Sequence, residues 1–104
     1  MRALKIPVRF MQGGNLIPVD WVDQITTQGL ETDGMAFYSD TKIQLKKNMG
    51  SDSYKEYVFL HELTHQILNT ISSPMRSNER FVSAFASALH QALKTMEYEE
   101  GGES

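Results

Sequence analysis

Residues Val58 to Leu68 read VFLHELTHQIL, an apolar run interrupted by two histidines and a glutamate. The chain has 3 histidines in 104 residues, and His61 and His65 both stand in this one stretch. Upstream, Ser53 and Glu56 have the spacing of a capping box, and downstream Pro74 marks a stop. The run therefore lies in a predicted helix of roughly 18 residues, ~27 Å long. On a helix, His61 and His65 are separated by about 400° of rotation and about 6 Å of rise, so both imidazoles leave the same face one turn apart. The three groups need a partner, because two imidazoles and a carboxylate inside an apolar helix cost several kcal/mol, on the order of what an unpartnered buried polar group costs, unless something pairs with them.

A metal ion supplies such a partner. His61-Glu62-Leu63-Thr64-His65 has the H-E-x-x-H arrangement, in which the histidines bind zinc and the glutamate between them acts as general base toward a metal-activated water. The alternative is a buried helix that happens to carry polar residues. Catalytic zinc takes three protein ligands and keeps one position open. One branch of proteases with this motif places a glycine and a third histidine further along the same helix. Leu68 and Ile71 occupy those positions here, which excludes that branch. Glu79 is the only acidic residue between His65 and Glu97. A helix returning antiparallel through NTISSPMRS brings it alongside the histidines, and it is the candidate third ligand. Its competing role is to complement the positive end of its own helix.

Before the helix, GMAFY and KIQLKK are β-prone runs joined by Ser39-Asp40-Thr41, which predicts a hairpin. LKIPVRF alternates apolar and polar residues and predicts a half-buried strand from Leu4 to Phe10, with Pro7 favouring an edge. Asn15 to Asp33 reads either as a short helix capped at Asp20 or as an irregular loop. Ser77 or Asn78 can cap a second helix whose apolar stripe runs Phe81, Val82, Phe85, Leu89, Ala92, Leu93 and Met96. Glu97, Glu99 and Glu100 then place negative charge at the unfavourable end of that helix, so residues 98–104 are expected to be a frayed acidic tail behind a single domain of residues 1–97. The expected fold class is α+β: a small antiparallel sheet of about three strands packed on two long helices, the first carrying the histidines.

Composition narrows the function. Hydrophobic residues at 40% and charged residues at 22% fit one globular domain with one modest core. Without cysteine there are no disulfides or thiolate ligands, so a metal here has imidazole and carboxylate donors. A net charge of −3 gives no electrostatic footprint for nucleic acid. No apolar stretch approaches a bilayer span and the N-terminus is unlike a signal peptide, so a cytoplasmic protein is expected, without membrane or nucleic-acid partners.

The hairpin, the helix with LHELTH and the following NERFVSAFASAL, together residues 34 to 93, resemble the gluzincin metallopeptidases. Within them, the chain resembles the small ImmA/IrrE-like proteins of phages and mobile elements. The resemblance implies one zinc ion per chain on His61, His65 and Glu79, with Glu62 as catalytic base. It implies a protein or peptide substrate, a regulatory protein as a further partner class, and a host-cell cytoplasmic location. It also implies that the strand from Ile43 to Lys46 forms the upper rim of the cleft. Longer members carry a helix-turn-helix or sensory domain for which this chain has no room, and no oxyanion-stabilising residue stands out: Tyr57 and Tyr38 read as core or rim aromatics, and His90 lies too far along its helix to be a ligand. The expected function is zinc-dependent hydrolysis of a peptide bond. The rival is a non-catalytic protein-binding module stapled by the metal, in which Glu62 has no task.

Overall fold

A computed structural model describes residues 3–99. Two arms of a hairpin come first, β1 (Arg9–Gln12) and β2 (Asn15–Val22), followed by a miniature hairpin, β3 (Thr26–Thr27) and β4 (Leu30–Glu31). The pair β5 (Gly34–Phe37) and β6 (Lys42–Lys46) leads into the long helix α1 (Asp52–Thr70). A 3-10 turn over Pro74–Ser77 then delivers the chain to α2 (Glu79–Thr95). Among the described residues, no helix is long and apolar enough to cross a membrane.

The sheet departs from the expected three antiparallel strands. It has four strands in the order β1-β2-β6-β5, and it is mixed, because β2 and β6 run parallel while the β1–β2 and β5–β6 pairs are antiparallel. The extra strand is β2, in the segment that reads from sequence as a short helix or a loop. Pro18 and Asp20 obscure it. The strand tolerates Pro18 because it changes partner there: β1 pairs with Asn15 to Pro18, and β6 pairs from Val19 onward. Val19 N–H bonds back to Val8 O on the β1 side, so position 18 directs its nitrogen the other way, where no ladder has begun.

Ile17 and Val19 from β2 and Ile43 and Leu45 from β6 are buried against Val58, Phe59 and Leu60 of α1, and this is the core. The N-terminal segment joins it differently from the expected strand over Leu4 to Phe10. Leu4, Ile6 and Phe10 pack inward, but the alternation breaks at Val8, which is 68% exposed, and the strand itself starts only at Arg9.

α1 runs for 19 residues, and its cap is Ser51, whose Oγ accepts the Tyr54 N–H at 3.1 Å. The expected Ser53–Glu56 capping box is absent; Glu56 faces the core side instead. At the far end Ser73 N–H bonds Leu68 O and Ser72 N–H bonds Asn69 O around a left-handed Ser72 (φ 55), a closure that turns the chain sharply. Asn78, one of the two expected caps, starts α2 by accepting the Phe81 N–H. α2 packs on α1 and the 3-10 turn and not on the sheet, so the expectation of two helices against one sheet face is also corrected. With so little to cover, its buried stripe narrows to Val82 and Ala86, with Leu89 and Leu93 packed alongside, while Phe81, Phe85 and Met96 stay exposed. The helix ends at Thr95, and residues 100–104 of the expected tail lie outside the described residues.

Candidate metal centre

α1 and α2 are joined by a tight connection, and that closeness places the first residue of α2 against the middle of α1. Glu79 reaches across so that its Oε1 lies 3.0 Å from His61 Nε2 and its Oε2 lies 3.1 Å from His65 Nε2. The two imidazole rings meet edge to face with centroids 5.0 Å apart. Donor atoms of His61, His65 and Glu79 all lie within 4.8 Å of one another, a group that could hold a metal ion. Burial and the neighbouring His65 charge pull the His61 pKa down, against the pull of Glu79, which favours the neutral ring a metal requires.

His65 is oriented from behind. Its Nδ1 lies 2.7 Å from the main-chain oxygen of Arg76, and a carbonyl only accepts, so Nδ1 carries the proton and Nε2 presents its lone pair to the centre. The Tyr38 hydroxyl donates to the same oxygen at 3.0 Å and stands 3.2 Å from Nδ1. Tyr38, which from sequence reads as a core or rim aromatic, is thus a partner of the His65 side of the centre. Arg76 acts through its backbone, which leaves no trace in side-chain type.

Glu62 points into the same site and is 7% exposed. Burial pushes its pKa up to about 8 and the Glu79 charge adds to this, while a hydrogen bond from the Ala36 backbone N–H opposes it. Its position depends on Gly34 at the start of β5. A Cβ built on Gly34 would lie 2.7 Å from Val58 Cγ1 and 3.1 Å from Glu62 Oε2, so only a bare backbone lets the strand approach α1 this closely. In the sequence that glycine is only the first residue of the β-prone run GMAFY.

The centre opens into a cleft of about 420 Å³, walled by β5, Tyr38, Arg76 and the β3–β4 hairpin through Thr27 and Gln28. The rim is therefore β5, the edge strand, and not the segment from Ile43 to Lys46. That segment is β6, an inner strand whose Ile43 and Leu45 are fully buried. Tyr57 stacks edge-on against His61 at 6.0 Å between centroids. His90 is remote from the centre and pairs with Glu56.

No family model, curated protein or solved structure matches this chain. The chemistry of the site rests on its own atoms.

Proposed function

We propose that this protein is a zinc-dependent endopeptidase, with His61, His65 and Glu79 as zinc ligands and Glu62 as general base. The observation that carries the reading is the convergence of both Nε2 atoms on the two oxygens of Glu79, with a buried fourth group, Glu62, beside them in an open cleft. The donor set, two neutral imidazoles and a carboxylate without thiolate, is one that catalytic zinc uses. When bound by these residues, zinc would supply Lewis-acid chemistry, lowering the pKa of a water and polarising a substrate carbonyl.

The chain's own residues do the rest. Glu62, which burial keeps protonated, would lose that proton beside a cation held by the three ligands, and would then take a proton from the attacking water and return it to the leaving amine. Ala36 N–H holds the Glu62 carboxylate, and Gly34 lets β5 come close enough for it to do so. Arg76 O keeps the His65 proton away from the metal side. A binding module that uses metal only to staple its core and a groove to capture a partner has no use for Glu62, which is why the peptidase reading is preferred. The resemblance of LHELTH and its flanking elements to gluzincins agrees with it.

Elemental analysis of purified protein should show one zinc per chain, and Glu79→Gln should lower that occupancy. Glu62→Gln keeps shape and polarity but removes the proton acceptor. It should retain zinc and fold while peptide hydrolysis falls by about 10² or more, the scale of a general base. Equal activity in wild type and Glu62→Gln at equal zinc occupancy defeats the mechanism.

A further inference from the structure

A second recess of about 220 Å³ adjoins the metal cleft and shares Gly34, His61 and Glu62 with it, so a ligand in one extends into the other. Its walls are aromatic. The Tyr54 and Tyr57 rings lie 6.2 Å apart, tilted by 34°, and continue through Tyr57 to His61. Its polar end is Asp33, whose Oδ2 accepts the Tyr54 hydroxyl at 2.7 Å. That hydrogen bond first, and burial second, push the Tyr54 pKa up to about 12, the behaviour of a phenol bound to an ionised carboxylate.

The Lys46 ammonium is bridged to Glu31, which raises its pKa first, and it is near enough for the Asp33 charge to add to that rise, but among the described residues no basic group forms an ion pair with Asp33. Two tyrosine rings leading to a carboxylate held by a hydrogen bond and without an ion-pair partner suit an alkyl stem that ends in a positive charge, because the rings pack on the stem and the carboxylate receives the cation. The opposite flank of the metal cleft carries Arg76, whose Nη1 donates to Ser73 O at 2.8 Å and whose guanidinium pairs with no carboxylate among the described residues. A cation is repelled there, so the two flanks have opposite charge.

We infer that the Asp33–Tyr54–Tyr57 recess is a subsite for a lysine or arginine side chain of the substrate, at one fixed position on one side of the scissile bond. The inference rests on the peptidase reading for the identity of the ligand, but its chemistry can be tested without turnover. In an NMR titration of the full chain, N-acetyl-lysine amide at millimolar concentration should shift the amides around Asp33, Gly34 and Tyr54. N-acetyl-norleucine amide, of similar length without charge, should bind on the order of tenfold more weakly. Asp33→Asn should abolish that difference, and its undisturbed spectrum elsewhere reports that the fold is intact. Cleavage of a peptide library should then show lysine and arginine enriched at a single position, with the lysine-to-norleucine ratio of kcat/KM falling about tenfold in Asp33→Asn.

Equal binding of the two amides overturns the inference even if peptides are cleaved, and so does a lysine preference that survives Asp33→Asn. Selective lysine-amide binding without cleavage of any peptide leaves the cation subsite standing and removes the peptidase reading instead.

Discussion

His65 can offer Nε2 to a cation only while its proton sits on Nδ1, and that proton is directed at the Arg76 carbonyl 2.7 Å away. The carbonyl belongs to the 3-10 turn that precedes Glu79, so one oxygen sets both the tautomer of one ligand and the path to another. Tyr38, just past the end of β5, donates to the same oxygen, and its hydroxyl proton is thereby committed. Burial, and then the charges of Glu62 and Glu79, raise the Tyr38 pKa and keep it a donor. Tyr38 is thus a positioning residue that joins hairpin, helix and turn. Tyr38→Phe should weaken zinc binding by about tenfold, the lower part of the range for removing an outer partner of a metal-bound histidine. The carbonyl keeps His65 as its donor, so the metal-free protein should lose little stability. Competition with a chromogenic chelator measures the affinity and thermal melts in EDTA measure the fold. Unchanged affinity with a lowered melting temperature would reduce Tyr38 to a packing role.

Between elements, the junction that fixes the site is Gln66, the residue after His65. It is buried, and its Nε2 donates to Phe37 O and to Lys42 O, both at 3.1 Å, so one amide closes the two ends of the β5–β6 loop onto α1. Gln66→Met keeps the volume and leaves two carbonyls without that donor. It should cost about 1–3 kcal/mol in urea melts; a loss below about 0.5 kcal/mol would mean that water replaces the amide. The β5–β6 hairpin was legible in sequence because two β-prone runs flank a turn triplet, and α1 because its apolar run ends at a proline. The histidine pair and Glu79 were legible because helical spacing and a short return loop fix where side chains can meet. β2 was not, since Pro18 is acceptable only where a strand exchanges partners, a property of the whole sheet. The apolar stripe of α2 is wider than the face it buries, leaving Phe81, Phe85 and Met96 exposed, as a helix lying on another helix and a short turn needs a narrower apolar face than one covering a sheet. Gln66 and the Arg76 carbonyl act on backbone groups distant in sequence, which no local pattern records.

Across the whole molecule, the parts farthest apart in sequence are tied at Glu56. This carboxylate, 3% exposed, accepts the Leu4 N–H at 3.0 Å, faces His90 Nε2 at 2.9 Å and Lys94 Nζ at 2.9 Å, and so joins the N-terminal segment, α1 and α2. Burial alone would raise its pKa, but the hydrogen bonds from His90, Lys94 and Leu4 outweigh it and hold the carboxyl down at about 2, below its ordinary 4.5. A pKa depressed in the folded state means that the unfolded chain takes up the proton first. The stabilisation is therefore complete above pH 4.5 and drains away as the pH falls toward 2. The gap corresponds to about 3 kcal/mol, at about 1.4 kcal/mol per tenfold in proton affinity. Glu56→Gln keeps an acceptor for Leu4 but leaves the Lys94 ammonium, largely buried, without its counter-charge. In EDTA, which removes any contribution from metal, the stability difference between wild type and Glu56→Gln should be near 3 kcal/mol at neutral pH by the same linkage. It should shrink toward zero between pH 4.5 and 2, because the wild-type carboxyl then becomes neutral as well. Urea denaturation of both proteins across that range measures it. A difference that stays constant with pH would show that Glu56 acts by shape and hydrogen bonding, and that the charge at the junction of the three segments contributes nothing.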